Sequence, residues 1–536
     1  MWAQQPPSAG SQLQQIPQAP GLPPKAPDIR IEQGKQAPLT STDQTRVRVD
    51  TLRITGAQAF TEATLIEASG FKPQGLMTLA DLRSLADRVS AYYQAQGYFV
   101  AQAYLPPQDI KDGLVTLAVL EGRYGAVTIR NGTRLKDSVA RGLVEPAPND
   151  AVTMAPLERS LLLLADLPGV QVRSTLTPGA SVGSSDLVLD VVPGPLVSGS
   201  VDGDNHGNRY TGRGRIGGTL NLNNPMGHGD VASLRLLSSG KGLNYARAAY
   251  QVPVARGRVG VAYARLDYRL GKEFESLQAR GTATIASVYG SYPLLRSRQS
   301  NLSVQLALDS KRLHDQVNAT NIRQTKKVQA LMLSLGGDHR DSFAGPAVNT
   351  YSLTGTAGNI DLKDPAAKVA DASTARTQGS YGKLGFNLAR LQSAGASTQF
   401  LAAASGQVAS KNLDVSEKMP LGGASAVRAY PEGESYADSG FVITLEARYT
   451  LPVTDTVPGQ VQLVGFIDSG AVTFSRNPWV PGANTRKLSG AGVGLNWSVG
   501  DAFFIKAFYA HKLGSEPATS APDASGRFWV QAVKYF

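Results

Sequence analysis

Gly212-Arg213-Gly214-Arg215-Ile216-Gly217 has the letters of a dinucleotide-binding fingerprint, in which glycines let the backbone approach a pyrophosphate at a helix N-terminus. That chemistry needs a helix opening within the motif. The residues that follow, Gly218-Thr219-Leu220-Asn221-Leu222, alternate as a strand, so the nucleotide reading fails on context. Asp202-Gly203-Asp204-Asn205-His206-Gly207 begins like a calcium loop, but Arg213 stands at the twelfth position, where a bidentate carboxylate is needed. The five histidines lack metal-ligand spacing, no Gly-x-Ser-x-Gly elbow occurs, and there are no cysteines for disulfides or thiolate sites. No catalytic residue, metal site or cofactor is expected.

The elements that would carry any other chemistry follow from composition and period. Gly at 56 and Pro at 31, with charged residues at only 18%, suit an all-β protein rich in turns. The net charge is +11, but basic residues are scattered singly, which argues against nucleic acid as a partner. No apolar run is long enough for a membrane helix. A barrel crosses by alternation instead, and composition does not exclude it. Met1-Trp2-Ala3-Gln4-Gln5 opens without an apolar leader; for an exported protein the leader would lie outside this sequence.

Four segments are expected. Residues 1–45 are rich in Pro and Gln and read as a linker. Within them Ser8–Gln18 could form a short plug helix, with Leu13 and Ile16 three apart; a disordered tail is the other reading. Residues 46–122 read as strand, helix, helix, strand, strand. Leu79, Leu82, Leu85, Ala86, Val89 and Tyr93 mark the apolar face of the second helix. Residues 123–195 repeat that order, so two tandem α+β domains are expected. Residues 196–536 lose the helical period and alternate in segments of about ten residues between turns. In Phe441–Leu451, Phe441, Ile443, Leu445, Ala447 and Tyr449 share one face, while Val442, Thr444, Glu446 and Arg448 share the other. In Gly260–Leu270, the apolar set Ala262, Ala264, Leu266, Tyr268 and Leu270 is expected to meet lipid. At about 21 residues per strand and connection, the segment is expected to close as an all-β transmembrane barrel of about 16 antiparallel strands. Its last strand ends in Phe536, with Lys534 snorkelling from an apolar face.

Three motifs then carry a resemblance. Asp204-Asn205-His206-Gly207 with Asn224-Pro225-Met226-Gly227-His228-Gly229-Asp230 resembles the first barrel hairpin of two-partner secretion transporters, the family of haemolysin- and filamentous-adhesin-secreting porins. Val427-Arg428-Ala429-Tyr430 resembles the core of that family's long sixth-loop motif, with Ala429 where the family has Gly. Gly465-Phe466-Ile467-Asp468-Ser469-Gly470 resembles the strand that receives the loop. The two repeats are similar to the family's paired POTRA domains.

The resemblance implies a Gram-negative outer-membrane protein with its POTRA domains in the periplasm. It would translocate a secreted partner protein, a large β-helical exoprotein. Outer-membrane lipid, lipopolysaccharide and the barrel-assembly machinery are the other implied partners, with Phe536 as the C-terminal assembly signal. The alternative within the superfamily is a barrel-assembly factor. The resemblance also implies a loop lock. By alternation Val461, Leu463, Gly465 and Ile467 face lipid, while Gln462, Val464, Phe466 and Asp468 face the lumen. A carboxylate in a narrow lumen is costly unless paired, and an arginine offers a planar fork for it. Spacing alone leaves open a solvated Arg428 and an Asp468 that merely wets the lumen; the resemblance implies that the two pair.

Overall fold

The computed structural model describes residues 6–21, 28–31, 45–452 and 458–536. The chain forms two compact units. One comprises Lys25–Gly194, the other Met1–Pro24 together with Pro195–Phe536.

The first unit contains two α+β domains. In the first domain, strand Thr51–Thr55 lies parallel to Leu114–Leu120, which also pairs antiparallel with Gln102–Tyr104. Helices Glu62–Ser69 and Leu79–Ala95 pack on this sheet. Gly70 ends the shorter helix at φ 67°, and Thr78 and Asp81 close a reciprocal capping box at the start of the longer one. Leu82, Leu85, Ala86, Val89 and Tyr93 are buried against Ile54, Val115 and Leu117, which is the apolar face read from the sequence. The second domain repeats the plan, with helices Asp137–Gly142 and Met154–Ala165 beside strands Arg123–Asn131, Val170–Pro178 and Ser184–Pro193.

The linker reading of residues 1–45 requires correction at one place, the short helix allowed within it is present, and residues 1–5, 22–27 and 32–44 lie outside the described residues. Asp28–Ile31 is a strand that adds parallel to Val170–Pro178, making the second sheet four-stranded. Upstream, Ala9–Leu13 is a helix, capped by a reciprocal pair of hydrogen bonds between Ser8 and Ser11. It is shorter than the Ser8–Gln18 expected.

The second unit is a closed barrel of sixteen antiparallel strands. It runs from Val197–Asp204 to Gly526–Tyr535, and these two close the ring with Ser200 opposite Tyr535 and Asp204 opposite Gln531. Phe536 extends the seam through paired backbone hydrogen bonds with Gly199 of 2.9 and 3.1 Å. Alternation decides what each residue faces. Phe441, Ile443, Leu445, Leu463 and Ile467 are exposed to the outside, whereas Val442, Glu446, Val464, Phe466 and Asp468 are buried inside. Lys534 is exposed on the outer row.

Strand Gly257–Arg269 reverses the expected sense. Ala262, Ala264, Leu266, Tyr268 and the following Leu270 are buried inward, while Val259, Val261 and Tyr263 are exposed. The reason is the lumen's content. Leu266, Tyr268 and Leu270 share one apolar cluster with Ala9 of the N-terminal helix, and Leu13 and Ile16 pack against it. The same cluster takes Leu237, Ala283, Leu313, Val328, Ile360 and Ala409 from other strands, a set that only an element inside the ring can meet. An inner wall that is covered by a helix needs apolar residues, not polar ones.

Candidate functional site

The longest connection in the barrel, residues 410–438, joins strands Thr398–Ala409 and Ser439–Thr450. It starts at the end of the barrel opposite that where the chain enters. Its stem is a two-residue ladder, Met419 opposite Ala437 and Pro420 opposite Tyr436, so the loop doubles back as a narrow hairpin. Val427, Ala429 and Tyr430 at its tip are fully buried among inward residues Val464, Phe466 and Leu488 of the wall.

Arg428 is set by this tip. Its Nε donates to Asp468 Oδ2 and its Nη2 to Asp468 Oδ1, both at 2.8 Å, a bidentate fork. Its own backbone N–H donates to the same carboxylate at 3.1 Å, and the Thr444 hydroxyl completes that carboxylate's bonds at 2.9 Å. The third nitrogen, Nη1, donates to Glu446 Oε1 at 2.9 Å, and Arg448 holds the other Glu446 oxygen at 2.7 Å. The guanidinium lies 3.5 Å from the centre of the Phe466 ring, which stands edge-on to Phe508. Trp529 Nε1–H donates to the Arg428 carbonyl at 2.7 Å, so the last strand also grips the tip. Asp468 is wholly buried and Arg428 6% exposed. Charges this far from water persist only when they are paired and hydrogen-bonded, as both are here.

Two glycines make room for the tip. A side chain at Gly470 would come within 2.6 Å of Leu421 Cδ1, and one at Gly490 would collide with the Ala429 methyl. Ala429, the residue that departs from the family pattern, therefore sits in space that Gly490 leaves open. Gly490→Ala is expected to push the tip out and cut secretion, with Ala429→Gly restoring it. Secreted partner normalised to folded transporter measures both. A fully active Gly490→Ala variant would remove this packing argument.

The tip is one of three attachments. Glu434, also buried, accepts from Arg486 at 2.7 Å, from Thr519 N–H at 2.7 Å and from the Ser520 hydroxyl at 2.8 Å, tying the loop to the last connection. At the root, Lys326 pairs with Asp414 at 2.7 Å, and Lys311 and Lys383 pair with Glu417 at 2.7 and 3.0 Å. Burial alone would raise the Asp414 carboxyl, but the Lys326 ammonium and the Ser416 donors outweigh it and hold it below the ordinary carboxylate range.

The N-terminal helix abuts this root. Ala9 N–H donates to Asp315 at 2.7 Å, and the Gln14 side chain to the Ser416 carbonyl. Thr211 donates to Gln12 at 2.9 Å, and Gln15 to the Tyr436 hydroxyl at 2.6 Å.

The remaining motif residues brace the first hairpin. Asp204 forms a buried pair with Arg215 at 2.8 Å, and Arg215 donates onward to the Gln15 carbonyl. Asn205 stitches the seam, donating to the Phe528 carbonyl and accepting from Val530 N–H, both at 2.9 Å. Gly207 lies against the Gly212 carbonyl, where a side chain has no room. Asn224 and Asp230 frame the turn that holds Pro225, Gly227 and Gly229. Asn224 accepts from Gly229 N–H at 2.7 Å, and Asp230 accepts from Tyr250 at 2.7 Å. Burial works to raise the Asp230 carboxyl, but Tyr250 and the backbone donors prevail and hold it low. Gly465 lies outward in open space, without a contact to the loop.

Sequence reasoning missed Glu446, Glu434, Trp529 and the root acids. Glu446 had a signal, since it lies on the polar face of Phe441–Leu451. The others depend on where the loop folds back, which no period encodes.

Comparisons with known proteins bear on the fold and the family. The profile of the haemolysin secretion/activation proteins ShlB/FhaC/HecB matches residues 183–497, and that of the ShlB-type POTRA domain matches residues 47–122. The chain is 30% identical over 470 residues to the heme/hemopexin transporter protein HuxB of Haemophilus influenzae (strain 86-028NP), covering 86% of this chain and 82% of that one. It is 24% identical to the outer membrane transporter CdiB of Escherichia coli O6:K15:H31 (strain 536 / UPEC), over 94% of this chain and 86% of that one. Among solved structures, CdiB from Escherichia coli superposes with TM-score 0.71 at 21% identity, covering 94% of this chain and 93% of that one. BamA from Haemophilus ducreyi, lacking POTRA domains 1–3, superposes with TM-score 0.56 at 14% identity, over 91% of this chain and 100% of that one, a likeness of fold alone. The barrel-assembly alternative is therefore set aside. With a POTRA domain ahead of a closed sixteen-stranded barrel, the chain belongs to the haemolysin secretion/activation family ShlB/FhaC/HecB, the two-partner secretion transporters of the outer membrane.

Proposed function

We propose that the chain conducts one large β-helical exoprotein to the cell surface, with the Arg428–Asp468 pair holding the long loop in the lumen during transport. The observation that carries this is the tip itself, a charged group enclosed by two wall strands at 2.8–2.9 Å. A passive pore needs no such attachment. The similarity to a heme/hemopexin transporter protein makes an exoprotein that handles heme or hemopexin the first cargo to test.

Capture falls to the periplasmic domains. Their sheets end in short strands, such as Gln102–Tyr104, to which an extended chain can add. No nucleotide energy is available outside the inner membrane, so folding of the product at the surface draws it outward. Insertion of the barrel relies on the assembly machinery, with Phe536 as its signal.

Residues 25–194 carry their own cores and are expected to fold alone. This fragment should be soluble, give a mixed α/β circular dichroism spectrum, and bind the amino-terminal region of the exoprotein encoded beside the transporter. A folded fragment without affinity for that region would show that capture occurs elsewhere.

A further inference from the structure

The outer surface of the barrel is uneven in charge. Four neighbouring strands, Gly257–Arg269, Ala279–Arg296, Ser300–Val317 and Ile322–Asp341, carry a block of cations on their outward rows at the extracellular end. Their facing follows from alternation, because Leu266, Tyr268, Ala283, Leu313 and Val328 between them are buried inward. Arg269 stands directly opposite Arg280, and Gln316, opposite Arg280 on its other side, faces Arg323. Two outward rows lower, beyond the uncharged Thr282–His314–Thr325 row, Thr284 faces Arg312, which stands directly opposite Lys327.

Like charges in direct cross-strand register repel. Little within the protein relieves them. Arg265 is taken by Asp267 at 2.8 Å, and Arg280 reaches only Gln316, at 3.5 Å. Asp361, opposite Lys327, is held by Lys363 and by Lys368 at 3.6 Å. Among the described residues, the side chains of Arg269, Arg312, Arg323 and Lys327 form no ion pair or hydrogen bond. The outward rows of the other strands end instead in residues such as Ser238, Ser380, Ser439 and Thr473, with Lys487 and His511 as basic exceptions.

Below the cations comes the row Ala286–Ser310–Gln329, and the next row down is apolar, with Leu308 53%, Leu331 43% and Val288 57% exposed. Leu308 and Arg312 are four residues apart, about 13 Å along a strand and less in height once the strand tilts. The guanidinium groups thus reach the level just above the hydrocarbon.

We propose that this patch binds the phosphorylated sugar headgroup of an outer-leaflet glycolipid, the lipid A part of lipopolysaccharide. Arginine forks match phosphate oxygens in pairs, and a bridging phosphate turns the Arg269–Arg280 and Arg312–Lys327 repulsions into attractions. The acyl chains lie on the apolar band beneath. The proposal rests on outer-membrane location, not on the loop lock.

The test uses the full-length transporter in detergent micelles, with lipid A binding followed by native mass spectrometry. Bis-phosphorylated lipid A is expected to bind, and dephosphorylated lipid A to bind at least about tenfold more weakly. The variant Arg269→Gln/Arg280→Gln/Arg312→Gln/Arg323→Gln, checked for folding by heat-modifiable migration, should lose about tenfold in affinity. Lys487→Gln should lose none. Should the fourfold variant not fold, Arg280→Gln/Arg312→Gln is used, with a loss of about threefold expected. Wild-type affinity in the folded variant overturns the proposal. So does equal binding of phosphatidylglycerol, or saturation of the patch by inorganic phosphate at the same concentration.

Discussion

Arg428→Ala is expected to remove most secretion of the partner while the barrel still assembles in the outer membrane. The substitution strands Asp468, which is wholly buried and otherwise keeps only the Thr444 hydroxyl and the backbone N–H of residue 428. Glu446 suffers less, because Arg448 stays bonded to it at 2.7 Å. Breaking one partner of a buried pair costs about 3–5 kcal/mol, and water entering the lumen reduces this. Even about 1.4 kcal/mol shifts the ratio of docked to released loop tenfold. The barrel should survive because its hydrogen-bond ladder closes around all sixteen strands independently of the tip. Asp468→Ala is expected to be milder, since Arg428 then keeps Glu446 at 2.9 Å. Heat-modifiable migration and outer-membrane yield check assembly; the culture medium reports secretion.

Deleting residues 6–21 is expected to raise the single-channel conductance severalfold in planar bilayers. Ala9 and Gln12 of the helix are fully buried in the lumen, between the inner wall and the loop root. Their removal leaves Asp315 without the Ala9 donor and opens an apolar inner wall to water and ions. Gly10→Leu should act in the same direction, because a side chain there meets Ser416 and Val415 at 3.0 Å. Unchanged conductance in the deletion would show that the helix does not limit the pore.

Much of the barrel was legible because a strand's facing is a matter of parity. Phe441–Leu451 and Val461–Asp468 each alternate cleanly, and one period assigns every residue inside or outside. The same rule misassigned Ala262–Leu270, because alternation reveals two faces but not which is wet. There the lumen is filled by a helix some 250 residues upstream in sequence. The strand Asp28–Ile31 escaped notice because four residues in a Pro-rich stretch give too few periods to read. Arg428 and Asp468 could be singled out by residue type and resemblance. Glu434, Asp414 and Glu417 could not, because their partners Arg486, Lys326, Lys311 and Lys383 come from strands distant in sequence. Gly470 and Gly490 are glycines for the loop's sake, a reason visible only once the loop is seated.

The central claim is that Arg428 and Asp468 work as a unit in secretion. It is tested most directly by secreted partner in the medium, normalised to transporter in the outer membrane, across a double-mutant cycle. Residues in one network couple rather than add. The double variant Arg428→Ala/Asp468→Ala is therefore expected to secrete no less than Arg428→Ala alone. Fully additive defects, or wild-type secretion by Arg428→Ala, would contradict the account.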